Sequence, residues 1–425
     1  MEDKEQRLKR DIGFTGSAFL SFNGVVGAGI FALPGTLAMQ FGSFSPWLFP
    51  LFGMLVLIVA IPFARVAGHH PVSGGPAVYA AAFGPAVSFQ AGWIYYIARA
   101  TALAANATVL VTYLASIWPP IGTGLGRGIA ICALIGAVTA INVIGLKRAI
   151  RLVDALTMLK AAPLLFVAVL GLFVAGGAIE GPGAVPPLNE LEAAALIILY
   201  AFVGFENSVV PAGETADPQR TIPRALITTI LATATLYFLV QLAFVAVMEP
   251  GAGGDAPMVA LGTALMGPAG AILLTAAAIF SLLGNISAGM TGTTRTTYAM
   301  ARDGLLPAWL GKIDKRHATP ANSIMFMGAL IALLALTGSF VWLAVVSTLA
   351  RMIVYSISIA ALPAKEKARP LIWIMVGAAI AVCGWAAFQS SWQSWRMLLI
   401  LVGSGSILYF LARRSNAKVG QSIGH

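Results

Sequence analysis

Two apolar stretches of this chain are interrupted near their middle by residues that a membrane-spanning helix ordinarily excludes. One carries Gly24-Val-Val-Gly-Ala-Gly-Ile-Phe31 within an apolar run from about residue 14 to about 40. The other carries Phe202-Val-Gly-Phe-Glu-Asn-Ser208 within a run from about 191 to about 212. Lipid offers a backbone no hydrogen-bond partners, so a spanning helix satisfies its polar groups internally. A glycine cluster or a carboxylate at mid-membrane is costly unless that stretch of backbone lines a cavity. Two interruptions at corresponding positions of two halves therefore point to one binding site near the bilayer midplane.

Composition places the rest of the chain in the same surroundings. Hydrophobic residues make up 59% and charged residues 10%, where a soluble domain carries about 25% charged residues. Mean hydropathy is +0.87. No stretch is long and polar enough for a separate soluble domain, so the lipid bilayer is the partner of most of the surface. The net charge of +10 comes from short basic clusters between apolar runs and not from one patch, so no nucleic-acid partner is expected. The charged start, Met1 to Arg10, leads directly into a full-length apolar run, and no removable signal peptide is expected. Cys132 and Cys383 both lie in apolar runs and read as packing thiols, without a disulfide. There is no phosphate loop and no metal-ligand spacing, so no cofactor or metal is expected. His69-His70 reads as a solvated loop pair. Asn106-Ala-Thr108 and Asn285-Ile-Ser287 have the glycosylation spacing but sit inside apolar runs.

Runs of about 20 apolar residues predict twelve spans, at about 14–40, 44–67, 85–116, 128–146, 150–175, 191–212, 224–248, 268–299, 321–338, 340–362, 371–389 and 394–412. Orientation follows from Lys and Arg in the connections. One set holds the clusters Lys4 to Arg10, Lys147 to Arg151, Lys312 to Arg316, Lys365 to Arg369 and Arg413 to Lys418, with Arg65, Arg220, Arg224 and Arg302. The opposite set holds Arg127 and Arg396, beside Glu180, Glu190, Glu192, Glu249 and Asp255. Both termini are therefore expected in the cytoplasm, which an even number of spans allows. Four ionisable residues lie deep in spans: Arg99, Lys160, Glu206 and Arg351. Each is a functional candidate, against the alternative of a structural ion pair or a side chain that snorkels to the interface.

Several segments, in this order, resemble the amino acid–polyamine–organocation transporters: Gly27-Ala-Gly-Ile-Phe31; Phe202-Val-Gly-Phe-Glu206 continuing into Gly213-Glu-Thr-Ala-Asp-Pro-Gln-Arg-Thr-Ile-Pro-Arg224; and Tyr298-Ala-Met-Ala-Arg-Asp-Gly-Leu-Leu-Pro307 before Thr319-Pro320-Ala-Asn322. Ser73-Gly-Gly-Pro-Ala-Val-Tyr79 before Phe83-Gly-Pro85 is a weaker match. The resemblance implies an all-α integral membrane protein of the LeuT type. Ten core helices over 12–362 form two inverted repeats, about 12–175 and 191–362, with spans 1 and 6 broken. Two peripheral helices follow over 371–412, between a cytoplasmic segment at 1–11 and a tail at 413–425. Five spans per repeat is an odd number, so the second repeat starts on the opposite side, as an inverted repeat must.

The break then acquires a chemistry. Amides of Ala28, Gly29 and Ile30 at the start of the second half-helix can hold a substrate carboxylate, and Gly27 and Gly29 permit close approach. Carbonyls near Val25 and Val26, with those of Phe202 and Val203, can face a substrate ammonium. The resemblance puts Tyr200, Phe202 and Phe205 near the substrate or its gate, and puts Lys160 where sodium-driven relatives hold the ion. A desolvated lysine there can release its proton, which points to proton coupling or exchange. Glu206 matches a glutamate tied to proton sensing in the decarboxylase-linked antiporters. Arg99 departs from them, and can pair with Glu206 or favour an anionic substrate. The expected function is secondary active transport of amino acids across the cytoplasmic membrane by alternating access, independent of sodium and without enzymatic activity. An amino acid/polyamine antiporter, an exporter and a transporter-fold sensor are the alternatives, and a monomer and a homodimer are both open.

Overall fold

A helix needs nothing beyond its own backbone to satisfy its polar groups, so long apolar runs fold as helices at membrane depth. The computed structural model describes residues 10–70, 74–145, 160–176, 181–249, 251–366 and 369–422. Among them no strand forms, and a single bridge pairs Ile12 with Thr215. The first interrupted run gives α1 (Phe14–Val25) and α2 (Ala28–Phe41), which rise about 18 and 21 Å. Then come α3 (Leu48–His69), α4 (Pro85–Ala115), α5 (Gly124–Ile144), α6 (Ala161–Ala175) and α7 (Leu188–Tyr200). Beyond the second interruption lie α8 (Pro218–Val247), α9 (Pro257–Met266), α10 (Pro268–Arg302), α11 (Ala321–Thr337), α12 (Phe340–Ala360), α13 (Pro370–Phe388) and α14 (Trp392–Ser422). Helices α4, α8, α9, α10 and α13 begin on proline, where a missing N–H costs nothing. Gly145 and Gly176 end α5 and α6 in the left-handed conformation. Among the described residues nine helical stretches are long and apolar enough to cross a membrane, and three shorter apolar helices accompany them.

The limits depart from the sequence reading at several places. After α7 the chain does not resume an α-helix: two 3-10 turns, Phe205–Val209 and Ala212–Glu214, carry it to α8. Pro211, which lacks an N–H donor, lies between those turns. Helix α8 starts at Pro218 instead of near 224, and α9 occupies a connection that reads as a loop. Helix α14 continues to Ser422, through the expected tail. Cys132 is exposed on the outer face instead of packed. Lys4, Arg7, Lys9, Lys147, Arg148, Arg151, Lys367 and the first part of span 5, 150–159, lie outside the described residues.

Helix α4 runs through the centre, with 94% of its apolar stretch buried. Buried Ala91, Gly92, Ala98, Ala100, Ala104, Ala105 and Ala107 let neighbouring backbones approach, which is how helices associate without a hydrophobic drive. Helices α10 and α12 pack on α4, and α3 and α6 pack on α8. Helix α14 is tied on from outside. Trp93 Nε1 donates to the Leu401 carbonyl at 2.9 Å, and a Cβ on Gly405 would overlap the Trp93 ring. Large apolar side chains such as Phe173, Ile272, Phe388 and Ile407 are exposed on the outer surface, as a lipid-facing wall requires.

The two interruptions meet at glycines. A Cβ on Gly24 would overlap the Gly204 carbonyl, and a Cβ on Gly204 would overlap the Gly24 backbone. Gly204 also holds φ at +115°, a conformation side chains rarely adopt. Ser21 Oγ donates to the Phe205 carbonyl at 2.6 Å and pairs with the Ser208 hydroxyl at 2.8 Å, joining the two segments. Gly204→Ala is therefore expected to lower stability by about 2 kcal/mol or more through strain and overlap. Thermal unfolding of the detergent-purified protein measures it, and an unchanged midpoint would show that the crossing tolerates a side chain.

Candidate functional site

At the first break Val26 and Gly27 leave the helical conformation, which frees amides on one side and carbonyls on the other. On the amide side, Ala28 N–H donates to Asn106 Oδ1 of α4 at 2.9 Å. Among the described residues no partner reaches the amides of Gly29 and Ile30. They stand at the N-terminus of α2, where the helix dipole adds partial positive charge.

On the carbonyl side the protein uses its own donors. Lys160 Nζ donates to the Asn23 carbonyl at 2.7 Å, Asn23 Oδ1 at 2.9 Å and the Val26 carbonyl at 2.5 Å. Three oxygens thus match the three donors of a buried ammonium at the negative end of α1. Ser281 Oγ and Asn285 Nδ2 also reach the Val26 carbonyl, at 3.2 and 3.4 Å. Tyr237 O–H donates to the Val25 carbonyl at 3.2 Å. The carbonyls of Val25 and Val26 therefore face protein donors. By contrast, no hydrogen bond among the described residues reaches the carbonyls of Phe202 and Val203 beside the second break.

Glu206 is fully buried and engaged on both oxygens. Arg351 Nε donates to Oε1 at 2.8 Å, while Tyr355 O–H and the Gly204 N–H donate to Oε2, each at 2.9 Å. The Glu206 partner is thus Arg351 and not Arg99. Arg351 does not snorkel: it is 0% exposed, because α12 packs against both α4 and α7. Its Nη1 donates to the Ala98 carbonyl at 2.9 Å and to Ser347 Oγ at 2.5 Å. Arg99, 7% exposed, donates from Nη1 to Asn207 Oδ1 at 2.8 Å and from Nε to Thr293 Oγ1 at 3.3 Å.

These groups surround a small cavity lined by Gly24, Val25, Gly27, Ala28, Gly29, Arg99, Ala102, Leu103, Asn106, Tyr200, Val203, Gly204, Asn285 and Arg351. About 20 Å³ is open to water centres, room for little more than a water molecule, so loading any larger ligand requires the helices to part. Of the expected binding residues, Val25, Gly27, Ala28, Gly29, Tyr200 and Val203 line it, with Arg99. Phe202 instead packs on Phe49 and Tyr237, with ring centroids 6.5 and 6.2 Å apart. Phe205 packs on Phe63 and Tyr355, at 6.2 and 5.3 Å. Val26, Ile30, Lys160 and Glu206 stand behind the lining.

The family model for amino acid permeases matches residues 12–411. The chain belongs to the amino acid permease family. It is a multi-pass membrane protein. It is 27% identical to the branched-chain amino acid permease BcaP of Bacillus subtilis, over 98% of this chain and 96% of that one. It is 30% identical to a putative arginine/ornithine antiporter of the same organism, over 71% of each chain. It is 24% identical to the methylthioribose transporter of Bacillus subtilis, over 98% of this chain and 96% of that one.

Of the other lining residues of this permease's cavity, Ala102, Leu103, Asn106 and Asn285 were not among the expected site residues, Arg351 was expected only as a buried charge, and Gly24 and Gly204 only as part of the two interruptions. The two asparagines flank Gly27, where a Cβ would stand 2.7 Å from Asn285 Nδ2 and 3.2 Å from Asn106 Oδ1. The available signal was a polar amide inside an apolar run, which is expensive unless it has partners there. For the ion pair, Arg351→Leu leaves Glu206 charged and unpaired, and is expected to cost about 3–5 kcal/mol of stability. The double variant Glu206→Leu/Arg351→Leu should recover most of that loss. A double variant no more stable than the single one, in thermal unfolding, would show that the pair is not the source.

Proposed function

We propose that this permease is a secondary active carrier of amino acids that works by alternating access and does not require sodium. The observation that carries the reading is the pair of unpartnered amides, Gly29 and Ile30, at the N-terminus of α2 beside a mid-membrane cavity. A substrate carboxylate supplies the acceptors these amides lack, and the free carbonyls of Phe202 and Val203 suit its ammonium. Amides at 28 to 30 are not equivalent in this reading. Asn106 Oδ1 already accepts from Ala28, so the carboxylate engages Gly29 and Ile30.

The overall arrangement we propose is twelve spans with both termini in the cytoplasm, in two inverted repeats of about 12–175 and 191–362 and a peripheral pair over 371–412. Contacts between counterparts five spans apart support it. The first break packs on the second, α3 on α8, α4 on α10 and α5 on α11, which is how elements near a pseudo-two-fold axis meet. The excess of Lys and Arg on one set of connections supports the orientation.

Coupling, in this proposal, falls on Lys160. Its ammonium holds the end of α1 through three oxygens, which is the electrostatic work of a bound cation, and a buried lysine can release its proton. Loss of that proton would free the Asn23 and Val26 carbonyls and loosen α1, so proton-coupled movement or exchange is the mechanism favoured. Glu206 has a full set of donors and reads best as a clamp joining the second break to α12. Direction of flux, uptake or exchange or export, is set by gradients and not by this geometry.

Four measurements test the proposal. Purified protein in proteoliposomes should take up labelled amino acids, with flux unchanged when choline replaces sodium at fixed pH and voltage; flux that needs sodium would refute the lysine reading. Lys160→Ala should abolish most turnover while the protein still folds. Gly29→Ala, whose Cβ would stand 3.0 Å from Ala201 Cα, should weaken binding about tenfold or more by crowding the carboxylate position. A flattened pH profile in well-folded Glu206→Gln would return the coupling role to Glu206, whereas the clamp predicts an unchanged profile.

A further inference from the structure

Resting on the carrier reading, we propose that the preferred substrate is an acidic amino acid, its side-chain carboxylate received by Arg99 and Arg351. Both arginines line the cavity, one from α4 and one from α12. Their partners are unequal to their charge. Arg351 has Glu206, but its Nη2 is buried with no hydrogen-bond partner. Among the described residues Arg99 is bonded only to the neutral oxygens of Asn207 and Thr293, and no carboxylate among them lies within 4.0 Å of it. Its Nη2 has no partner among them either. Gly289 makes room for that nitrogen, since a Cβ there would stand 3.0 Å from it.

Counting charges around the cavity sharpens the point. Glu206 offsets Arg351, while Lys160 is satisfied by carbonyls at the end of α1. Arg99 is left as a buried cation facing the cavity without an anion, and such a group is strongly destabilising at membrane depth. A neutral zwitterion brings a carboxylate and an ammonium that cancel. A cationic amino acid or polyamine would add repulsion. An acidic amino acid brings one net negative charge, and a guanidinium fork matches a carboxylate in geometry as well as in charge. The two ends of the ligand then divide the site: the α-carboxylate at the Gly29 and Ile30 amides, the side-chain carboxylate at the arginines, and the ammonium toward the Val203 side.

The test is binding by purified full-length protein, read as thermal stabilisation and by titration calorimetry. The probes are L-glutamate, L-aspartate, L-glutamine, L-asparagine, L-leucine and L-arginine. The acids are expected to bind about 10- to 100-fold more tightly than their amides, the range of a charge-assisted hydrogen bond, and L-arginine should bind least. In Arg99→Gln the acid-to-amide ratio should fall toward one, and Arg99→Lys should restore part of it. If Arg99→Gln does not fold, the wild-type ratio and Arg99→Lys still decide. Tighter binding of L-leucine or the amides than of the acids would overturn the acidic specificity while leaving the carrier reading intact. A wild-type preference for acids that survives Arg99→Gln unchanged would remove Arg99 from the site. Binding of none of the six probes would overturn the specificity and count against the carrier reading as well.

Discussion

Backbone that leaves the helix at membrane depth must find partners within the protein, and most of this architecture answers that requirement. The break after Val26 exposes carbonyls to Lys160, Ser281, Asn285 and Tyr237, and the amide of Ala28 to Asn106. Those side chains come from α4, α8, α10 and the start of α6, so α1 and α2 are held by a shell and not by continuity of their own helix. Two amides, at Gly29 and Ile30, remain over. In lipid-exposed backbone such groups would be prohibitive; beside a polar cavity they are donors that the proposed ligand would complete.

The charged residues divide along the same lines. Glu206 and Arg351 satisfy each other and tie the second break to α12, and Tyr355 and the Gly204 amide fill the remaining acceptor sites. Such a pair adds little net stability over an apolar substitute, yet removal of one partner is severe. It therefore fixes geometry at a strained crossing more than it strengthens the fold. Lys160 is held by backbone oxygens of a segment that must move if access is to alternate. Arg99 is held by neutral groups and faces the cavity. Each of the three cations thus has a different kind of partner: a carboxylate, a helix end and an open site.

Much of this was legible in the residues. Gly27, Gly29 and Gly204 announced both breaks, because two glycine-rich interruptions stand at corresponding positions of two halves, and Lys160 and Glu206 stood out as ionisable groups with apolar neighbours. The structure placed the breaks against each other, which the sequence could not show, because contact across 180 residues of chain leaves no local pattern. Arg351 was visible as a buried charge, but whether it or Arg99 would meet Glu206 depended on how α12 lies against α4. Asn106 and Asn285 were noted as glycosylation spacings inside apolar runs and given no role, although an amide in an apolar run raises the same question as a charge. Phe202 and Phe205 went the other way: aromatic residues near a break suggested a gate, and packing on Phe49 and Phe63 absorbed them.

The closed cavity sets a constraint on how any cycle can run. Since only about 20 Å³ is open to water centres, α1 and α2 must move relative to α4, α10 or the second break to admit a ligand. The Gly24–Gly204 contact and the bonds of Ser21 to Phe205 and Ser208 couple the two breaks, so movement of one without the other would cost those contacts. Of the two breaks, Lys160 bonds the first and Arg351 the second, while Arg351 also holds Ala98 of α4. In the proposed carrier the pair of breaks would therefore move at least cost as one body, released from α6 by changes at Lys160 and from α12 by changes at Glu206 and Arg351. A ligand held as proposed, by Arg351 and the α2 amides together, would bridge these restraints, and its occupancy would then bias which side of the membrane the site faces.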